Sequence, residues 1–320
     1  MRPAERERGA ALLTVLLLVA AIAVMAAASL EKLRLATRLS GNAVQAEQAR
    51  SYAEAAEALA LAKVDQLLGP NPPRVTLAGD WSGHPFPLPL PGGEAVARVT
   101  DGANCFNLNG LVTQVAPGVY ASQGSQRFIF ARLMRLLGVP AAVAEQVAAG
   151  ASDWIDTDQD VQANGAEDAA YLGQQPAYRT AGTLMTDPSE LRAVAGMTPE
   201  LYARLRPWLC ALPVAAPAPI NIDTLAPEQA PLLAALGPET LTVDAAQVAL
   251  RKRPAEGWAD AGGFWTAANS SGGGGAGVLS RWFTLRIDVT VGRTVVTERA
   301  LIDATALPAR LVARQWGEDL

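Results

Sequence analysis

An acidic stretch near the middle of the chain has the residue types and spacing of a calcium-binding loop. It reads DTDQDVQANGAED over residues 156–168. Counted from Asp156, oxygen-bearing side chains fall at about the offsets one, three, five, seven, nine and twelve that supply ligands in an EF-hand loop. The candidate ligands are Asp156, Asp158, Asp160, Gln162, Asn164 and Glu167. Because Ca²⁺ prefers hard oxygen ligands, this spacing predicts a structural calcium site.

One position departs from the EF-hand pattern, since Val161 stands where that loop turns on glycine. We therefore expect the backbone of this loop to differ from that of an EF-hand. The alternative to a metal site is a solvated acidic loop at the end of a helix over 141–155. Three further acidic side chains are weaker candidate ligands, for this site or a second one: Asp168, Asp187 and Glu190. Of these, Asp187 also fits the N-cap of a helix that opens at Pro188.

Catalytic and nucleic-acid-binding signals are weak. His84 is the only histidine and lies in a Gly/Pro-rich connector, so we predict that the protein is not an enzyme. Residues 195–209 and 219–236 resemble helix-hairpin-helix elements, which can hold DNA phosphates through backbone amides. The second of them contains no Lys or Arg, and the net charge of the chain is −5, so packing against protein is favoured over nucleic acid. An exported helix-hairpin-helix nucleic-acid-binding module remains the alternative function.

The N-terminus carries a charged stub, Gly9, and then the uncharged residues 10–30. At about 1.5 Å per residue such a helix crosses about 30 Å of hydrocarbon. It fits a plain anchor, a secretory signal cleaved near residues 26–28, or a prepilin-type leader ending at Gly9. The leader explains more, because the apolar run continues into a predicted helix that ends at Leu68. Its predicted apolar stripe is Tyr52, Ala56, Leu59, Ala60, Val64, Leu67 and Leu68.

The remaining pattern predicts an α+β fold in which an α-helical domain is inserted into a small sheet. Gly/Pro-rich residues 69–93 indicate an irregular connector, with short strands predicted at 75–77 and 95–99. A β-hairpin is predicted over 282–303, turning at Gly292 and Arg293. The predicted segments are a leader over 1–9, a membrane and filament helix over 10–68, the first part of the body over 69–125, the inserted domain over 126–268 and the second part of the body over 269–320.

The two cysteines, Cys105 and Cys210, leave two possibilities. In a cytosolic protein they are most simply buried thiols. If the N-terminal segment exports the rest of the chain, an oxidising compartment favours a disulfide between them.

Five segments together resemble the minor pseudopilin K of bacterial type II secretion systems, in order and over nearly the whole chain. They are RERGAALLTVLLL (6–18), CFNLNGL (105–111), WIDTDQD with GAEDAAYL (154–172), MTDPSELRAVAGMTPELYARLRPWL (185–209) and PINIDT (219–224). The resemblance implies a pilin-like fold with the long N-terminal helix packed on a small antiparallel sheet. It also implies calcium in the inserted domain and a tip complex with the pseudopilins I and J.

The resemblance further implies processing and position. Prepilin peptidase would cut between Gly9 and Ala10, leaving an N-methylated Ala10 and a single-pass inner-membrane protein with its bulk in the periplasm. Most pilins carry a glutamate fifth in the mature chain, whereas this family lacks it, and Thr14 stands there. A carboxylate in lipid is costly unless it is paired, and a subunit with no neighbour above it has no use for one. Thr14 therefore predicts a subunit that initiates and caps the pseudopilus.

Overall fold

The computed structural model describes residues 3–70 and 72–317, with side chains from residue 11 onwards. Its helices are α1 (Pro3–Leu68), α2 (Gly124–Leu136), α3 (Ala141–Ile155), α4 (Asp168–Tyr171), α5 (Pro199–Leu205), α6 (Ala230–Leu236), α7 (Val243–Arg251) and α8 (Ala261–Ala267). Its strands are β1 (Phe86–Leu90), β2 (Gly93–Asp101), β3 (Phe106–Asn107), β4 (Val112–Ala116), β5 (Val119–Ser122), β6 (Leu209–Cys210), β7 (Ile220–Asn221), β8 (Ala276–Gly277), β9 (Trp282–Val291), β10 (Thr294–Asp303) and β11 (Arg310–Trp316). Four 3₁₀ helices span Leu108–Leu111, Pro188–Ala193, Arg206–Trp208 and Pro227–Gln229.

Helix α1 is continuous over 66 residues and has two distinct parts. Residues 11–44 are all exposed, and within the described chain α1 is the one helix long and apolar enough to cross a membrane. From Ala49 onwards one narrow face is buried against the sheet. That face consists of Ala49, Ala53, Ala56, Ala60, Val64 and Leu68. The predicted stripe was wrong at Leu59, which is 55% exposed. The face that meets the sheet carries Ala56 and Ala60, which lie about one turn apart, and Leu59 lies beside that face.

The sheet under α1 has five antiparallel strands in the order β1-β2-β9-β10-β11. The predicted hairpin is confirmed as β9 and β10, with its turn at residues 292–293. The prediction of an irregular connector was wrong over 86–90, because FPLPL forms β1. Its prolines are tolerated because β1 is an edge strand, where missing N–H donors need no partner. The predicted strand over 75–77 does not form, although Val75 N donates to Val278 O at 2.7 Å.

The inserted helical domain leaves the sheet and returns to it at one place. The chain departs at the end of β2 and re-enters at the start of β9, and Asp101 pairs with Phe283 there. The helix predicted over 141–155 is confirmed as α3. The second helix-hairpin-helix-like stretch contributes α6, of which residues 230–235 are buried in the domain core. Its role in the fold is therefore packing, as its lack of positive charge indicated.

A buried polar network connects the segment in which the chain leaves β2 with the segment in which it returns to β9. The Asp101 carboxylate accepts hydrogen bonds from the hydroxyls of Thr224 and Ser280. Asn221 Nδ2 donates to Ser280 Oγ at 2.8 Å, and Asn104 Oδ1 accepts from Asn221 N at 3.0 Å. Because a buried polar group without a hydrogen-bond partner is costly, these bonds favour one position of the domain on the sheet. They also give the PINIDT segment a structural role.

Cys105 and Cys210 form a disulfide between residues 105 positions apart in the sequence. It lies beside the two-residue parallel pairing of β3 with β6, in which Phe106 pairs with Leu209. The disulfide therefore ties the first residues of the inserted domain to a segment in its middle. A disulfide is the arrangement expected for an exported chain.

We expect reduction of this disulfide to lower the free energy of unfolding by about 2–4 kcal/mol, because closing a long loop restricts the unfolded chain. Denaturant unfolding of the full-length protein in detergent, with and without dithiothreitol, measures the change. A variant with both Cys105→Ala and Cys210→Ala is the control and should be insensitive to the reductant. An unfolding midpoint that reduction leaves unchanged would contradict this role.

Candidate metal site

Three carboxylates meet at the end of helix α3. Asp153 lies in the last turn of α3, Asp156 is the residue that ends it, and Glu167 immediately precedes α4. One oxygen atom from each lies within 4.8 Å of the others. Their side chains are buried, with Asp153 0%, Asp156 1% and Glu167 3% exposed. The fold thus places three acidic groups together, away from water.

Most of the oxygens in this cluster have no hydrogen-bond partner among the described residues. Asp153 Oδ1, both oxygens of Asp156 and Glu167 Oε1 are buried and unpartnered. The remaining two are held weakly, since Asp153 Oδ2 accepts from Gln162 N at 3.3 Å and Glu167 Oε2 accepts from Gln159 Nε2 at 3.4 Å. A buried carboxylate without compensation is costly. A positive charge at the centre of the cluster would therefore stabilise it.

The electrostatics give the same result. Burial raises the pKa of Asp153 to about 6, that of Asp156 to about 7 and that of Glu167 to about 8. Repulsion from other carboxylates of the cluster adds to the effect of burial at Asp156 and Glu167. At Asp153 the added repulsion comes from Asp158 of the adjoining loop. The side chain of Arg127 is the positive group that opposes it at Asp153 and Asp156. Three oxygen ligands of this kind fit a hard divalent cation, which would stabilise the ionised forms.

The loop between Asp156 and Glu167 turns late, at Asn164 and Gly165. Asn164 has a φ of +68°, in the left-handed region, whereas the EF-hand turn falls near the position of Val161. A Cβ on Gly165 would lie 2.0 Å from Asp153 Oδ2, so only glycine lets the loop pass this close to the cluster. The backbone therefore differs from that of an EF-hand, as the sequence predicted.

The other predicted ligands lie around the cluster. Asp158, Asp160 and Asn164 are exposed and Gln162 is half-buried. Asp158 Oδ1 accepts from Asp160 N at 2.9 Å, which shapes the start of the loop. From the predicted set, the structure brings Asp156 and Glu167 into the cluster, and metal binding by the four others stays a prediction.

The three remaining acidic candidates have protein partners. The Asp168 carboxylate accepts hydrogen bonds from Arg179 and from Thr180. Asp187 caps the 3₁₀ helix that begins at Pro188 by accepting from Ser189 N at 2.8 Å. Glu190 completes that cap and accepts from Thr186 Oγ1 at 2.9 Å. The N-cap predicted for Asp187 is therefore confirmed, and their part in metal binding remains a prediction.

Asp153 is the residue that the sequence pattern missed. It precedes the acidic loop by three residues, and residues three apart share one face of a helix. Asp153 and Asp156 point the same way for this reason. The available signal was an aspartate in the last turn of the predicted helix over 141–155, three residues before Asp156, but counting EF-hand positions from Asp156 left Asp153 out.

We expect calcium to raise the melting temperature of the protein and a chelator to reverse the rise, because an ion that binds only the folded form stabilises it. A free ion concentration of about 100 times Kd corresponds to about 2.7 kcal/mol. Asp153→Asn should abolish most of this shift, since it removes one of the three buried ligands. Thermal unfolding of the full chain in detergent, with calcium or EGTA, is the measurement.

Asp160→Asn is the matched control for this experiment, because it removes the same charge from an exposed position of the same loop. It should retain most of the calcium shift. Equal loss of the shift in both variants would contradict a site centred on the three buried carboxylates, and no shift in the wild type would favour a solvated acidic loop.

The fold and this cluster together define the class of protein. A long helix with an exposed apolar part continues into a part that packs on an antiparallel sheet, which is the architecture of a pilin-like subunit. A large helical domain, inserted between β2 and β9, carries the acidic cluster.

Comparison with known proteins agrees with this class. The family model described as type II secretion system (T2SS), protein K matches residues 104–214 and 220–286. The chain is 35% identical to type II secretion system protein K of Pectobacterium carotovorum subsp. carotovorum, over 98% of this chain and 97% of that protein. The corresponding protein of Klebsiella pneumoniae is also 35% identical, with the same coverage of 98% and 97%. The chain therefore belongs to the type II secretion system protein K family, the minor pseudopilins K of that secretion machinery.

A solved structure extends the similarity to three dimensions. In the crystal structure of the GspK-GspI-GspJ complex from the enterotoxigenic Escherichia coli type 2 secretion system, one chain superposes on this one with a TM-score of 0.73. The two are 31% identical, and the match covers 85% of this chain and 97% of that chain. The pilin-like α+β fold with an inserted helical domain is thus shared with that relative.

Proposed function

We propose that this minor pseudopilin sits at the tip of the type II secretion pseudopilus, where it initiates and caps assembly together with the pseudopilins I and J. The observation that carries the proposal is the match to almost the whole of a chain crystallised in a GspK-GspI-GspJ complex. The pseudopilus with this tip takes part in the export of proteins across the outer membrane. The protein acts in it as a structural component.

The N-terminal helix supports a membrane-anchored precursor. The exposed part of α1 is apolar, with a mean hydropathy of 2.8 over its most apolar window, and suits a single pass through the inner membrane. The bulk of the chain then lies in the periplasm, where the Cys105–Cys210 disulfide is stable. Prepilin peptidase cuts after Gly9, and Ala10 becomes the methylated terminus. These two residues precede the side chains that the structure describes.

Two features favour the tip over a position along the filament. The inserted domain, which departs from the sheet after Asp101 and returns at Trp282, adds bulk that a neighbour stacked above would have to avoid. Thr14 replaces the usual glutamate and satisfies its hydroxyl within the helix, donating to Ala11 O at 2.9 Å. It therefore needs no partner from a subunit above.

Calcium has a structural role in this proposal. Asp153, Asp156 and Glu167 hold the ion, which compensates three carboxylates whose ionised forms burial disfavours. The ion fixes the loop over 156–167 against the end of α3. The candidates Asp158, Asp160, Gln162 and Asn164 are near enough in sequence to supply additional oxygens.

Immunogold labelling of sheared pseudopili tests the tip position directly. We expect gold directed at the inserted domain to mark one end of each fibre, because a capping subunit is present once per filament. Gold directed at the major pseudopilin is the control and should mark the full length. Label from the inserted domain distributed along the fibres would contradict the proposal.

A further inference from the structure

Glu298 is a fully buried acid at the interface between helix α1 and the sheet. It lies on β10, opposite Ile287 of β9 and Trp316 of β11. Its side chain is 0% exposed, and neither carboxylate oxygen accepts a hydrogen bond from the described residues. Neither the membrane anchor nor the metal cluster uses it.

A single arginine, Arg314, lies within ion-pair distance of this acid and of two others. Arg314 of β11 makes a two-pronged contact with Glu57 of α1, with Nε and Nη2 at 2.9 and 2.7 Å from Oε2. The same Nε lies 3.3 Å from Glu298 Oε1, and Nη1 lies 3.6 Å from Glu54 Oε1. The hydrogen bonds of the guanidinium thus go to Glu57. Glu298 receives only the residual attraction of a charge that is already shared.

The surroundings supply no other compensation among the described residues. The charged groups facing this point are Glu54 and Glu57 from α1 and Arg314 from β11, whereas β9 presents Ile287. Arg50 of α1 is paired with Glu47 and stacks on the Trp316 ring, where Arg314 also stacks. When Glu54, Glu57 and Glu298 are all ionised, Arg314 leaves two negative charges in excess, and one of them lies on the fully buried Glu298.

A proton on Glu298 resolves this conflict. Burial, followed by the neighbouring Glu57 carboxylate, raises the pKa of Glu298 above its usual range. The protonated carboxyl can donate to Glu57, so that Glu57 and Arg314 remain an ion pair and Glu298 becomes a neutral partner. Loss of that proton to solvent at higher pH restores repulsion between two carboxylates on opposite sides of the interface.

We propose that Glu57, Glu298 and Arg314 form a pH-sensitive latch that holds α1 on the sheet while Glu298 carries a proton and weakens when it loses it. A folded-state pKa above the unfolded value means that the folded protein binds more protons. The free energy of unfolding therefore falls as pH rises from the usual glutamate value of about 4.3 through the raised value in the fold. The latch joins the membrane-anchored helix to its body, so pH sets how firmly the body is attached.

The test compares thermal unfolding of the full-length wild type and Glu298→Gln in neutral detergent, at about pH 5.5 and about pH 8.5 with calcium fixed. Glutamine mimics the protonated acid. We expect the two proteins to melt together at the lower pH and the variant to melt several degrees higher at the upper pH. Glu54→Gln is the control, because its exposed carboxylate contacts the same arginine, and it should not show this pH-dependent gain.

A variant that melts below the wild type by the same margin at both pH values would overturn the proposal, since Glu298 would then act as an ionised partner of Arg314. Hydrogen exchange in the wild type gives a second readout that needs no variant. After correction for the intrinsic exchange rate, the β11 amides should be less protected from exchange at about pH 8.5 than at about pH 5.5. Protection that does not change with pH would also overturn the latch.

Discussion

One helix combines an exposed apolar part, long enough to cross a membrane, with a face that packs into the core of the body, and the rest of the fold depends on this combination. The exposed residues 11–44 of α1 would span about 50 Å as a helix, more than the roughly 30 Å of a bilayer core. From Ala49 to Leu68 the same helix forms one side of the core of the body. Alanine dominates that face because small side chains let the strands approach closely. The anchor and the body therefore cannot be separated without opening the core.

Specific polar contacts attach the inserted domain to this body. It departs and returns at one end of neighbouring strands, where Asp101, Asn221 and Ser280 form a buried polar network. The disulfide then ties its beginning to its middle. Within the inserted domain, the acidic cluster brings together the end of α3, the adjoining loop and the start of α4. The proposed calcium ion would make that part of the domain rigid.

The sequence predicts the long elements and the architecture because their periodic patterns are strong. Helix α3 and the β9–β10 hairpin follow directly from such patterns, as does the insertion of helices into a strand-bounded body. Strand β1 was missed because its prolines forbid a central strand but not an edge strand, and strand order is not local information. Leu59 was wrongly predicted to be buried, because the spacing of apolar residues indicates an apolar face of the helix but not which edge of that face meets the sheet.

The site was predicted in part for a similar reason. Counting from Asp156 found the loop and Glu167, since ligand spacing in a loop is local. Asp153 belongs to the preceding helix, and only the packing of Gly165 against it shows that the chain folds back there. The buried pair of Glu57 and Glu298 could not be predicted either, because the two lie far apart in the sequence and their contact depends on how α1 packs on β10.

We propose that this chain is a membrane-anchored pseudopilin precursor whose apolar helix becomes the start of the mature protein. Intact-mass and N-terminal analysis of the protein purified from cells with an active prepilin peptidase tests it most directly. We predict a chain that begins at Ala10, one methyl group heavier than its sequence mass. A chain that begins at Ser29, as after cleavage of a secretory signal, would contradict the account, and so would one that retains its first nine residues.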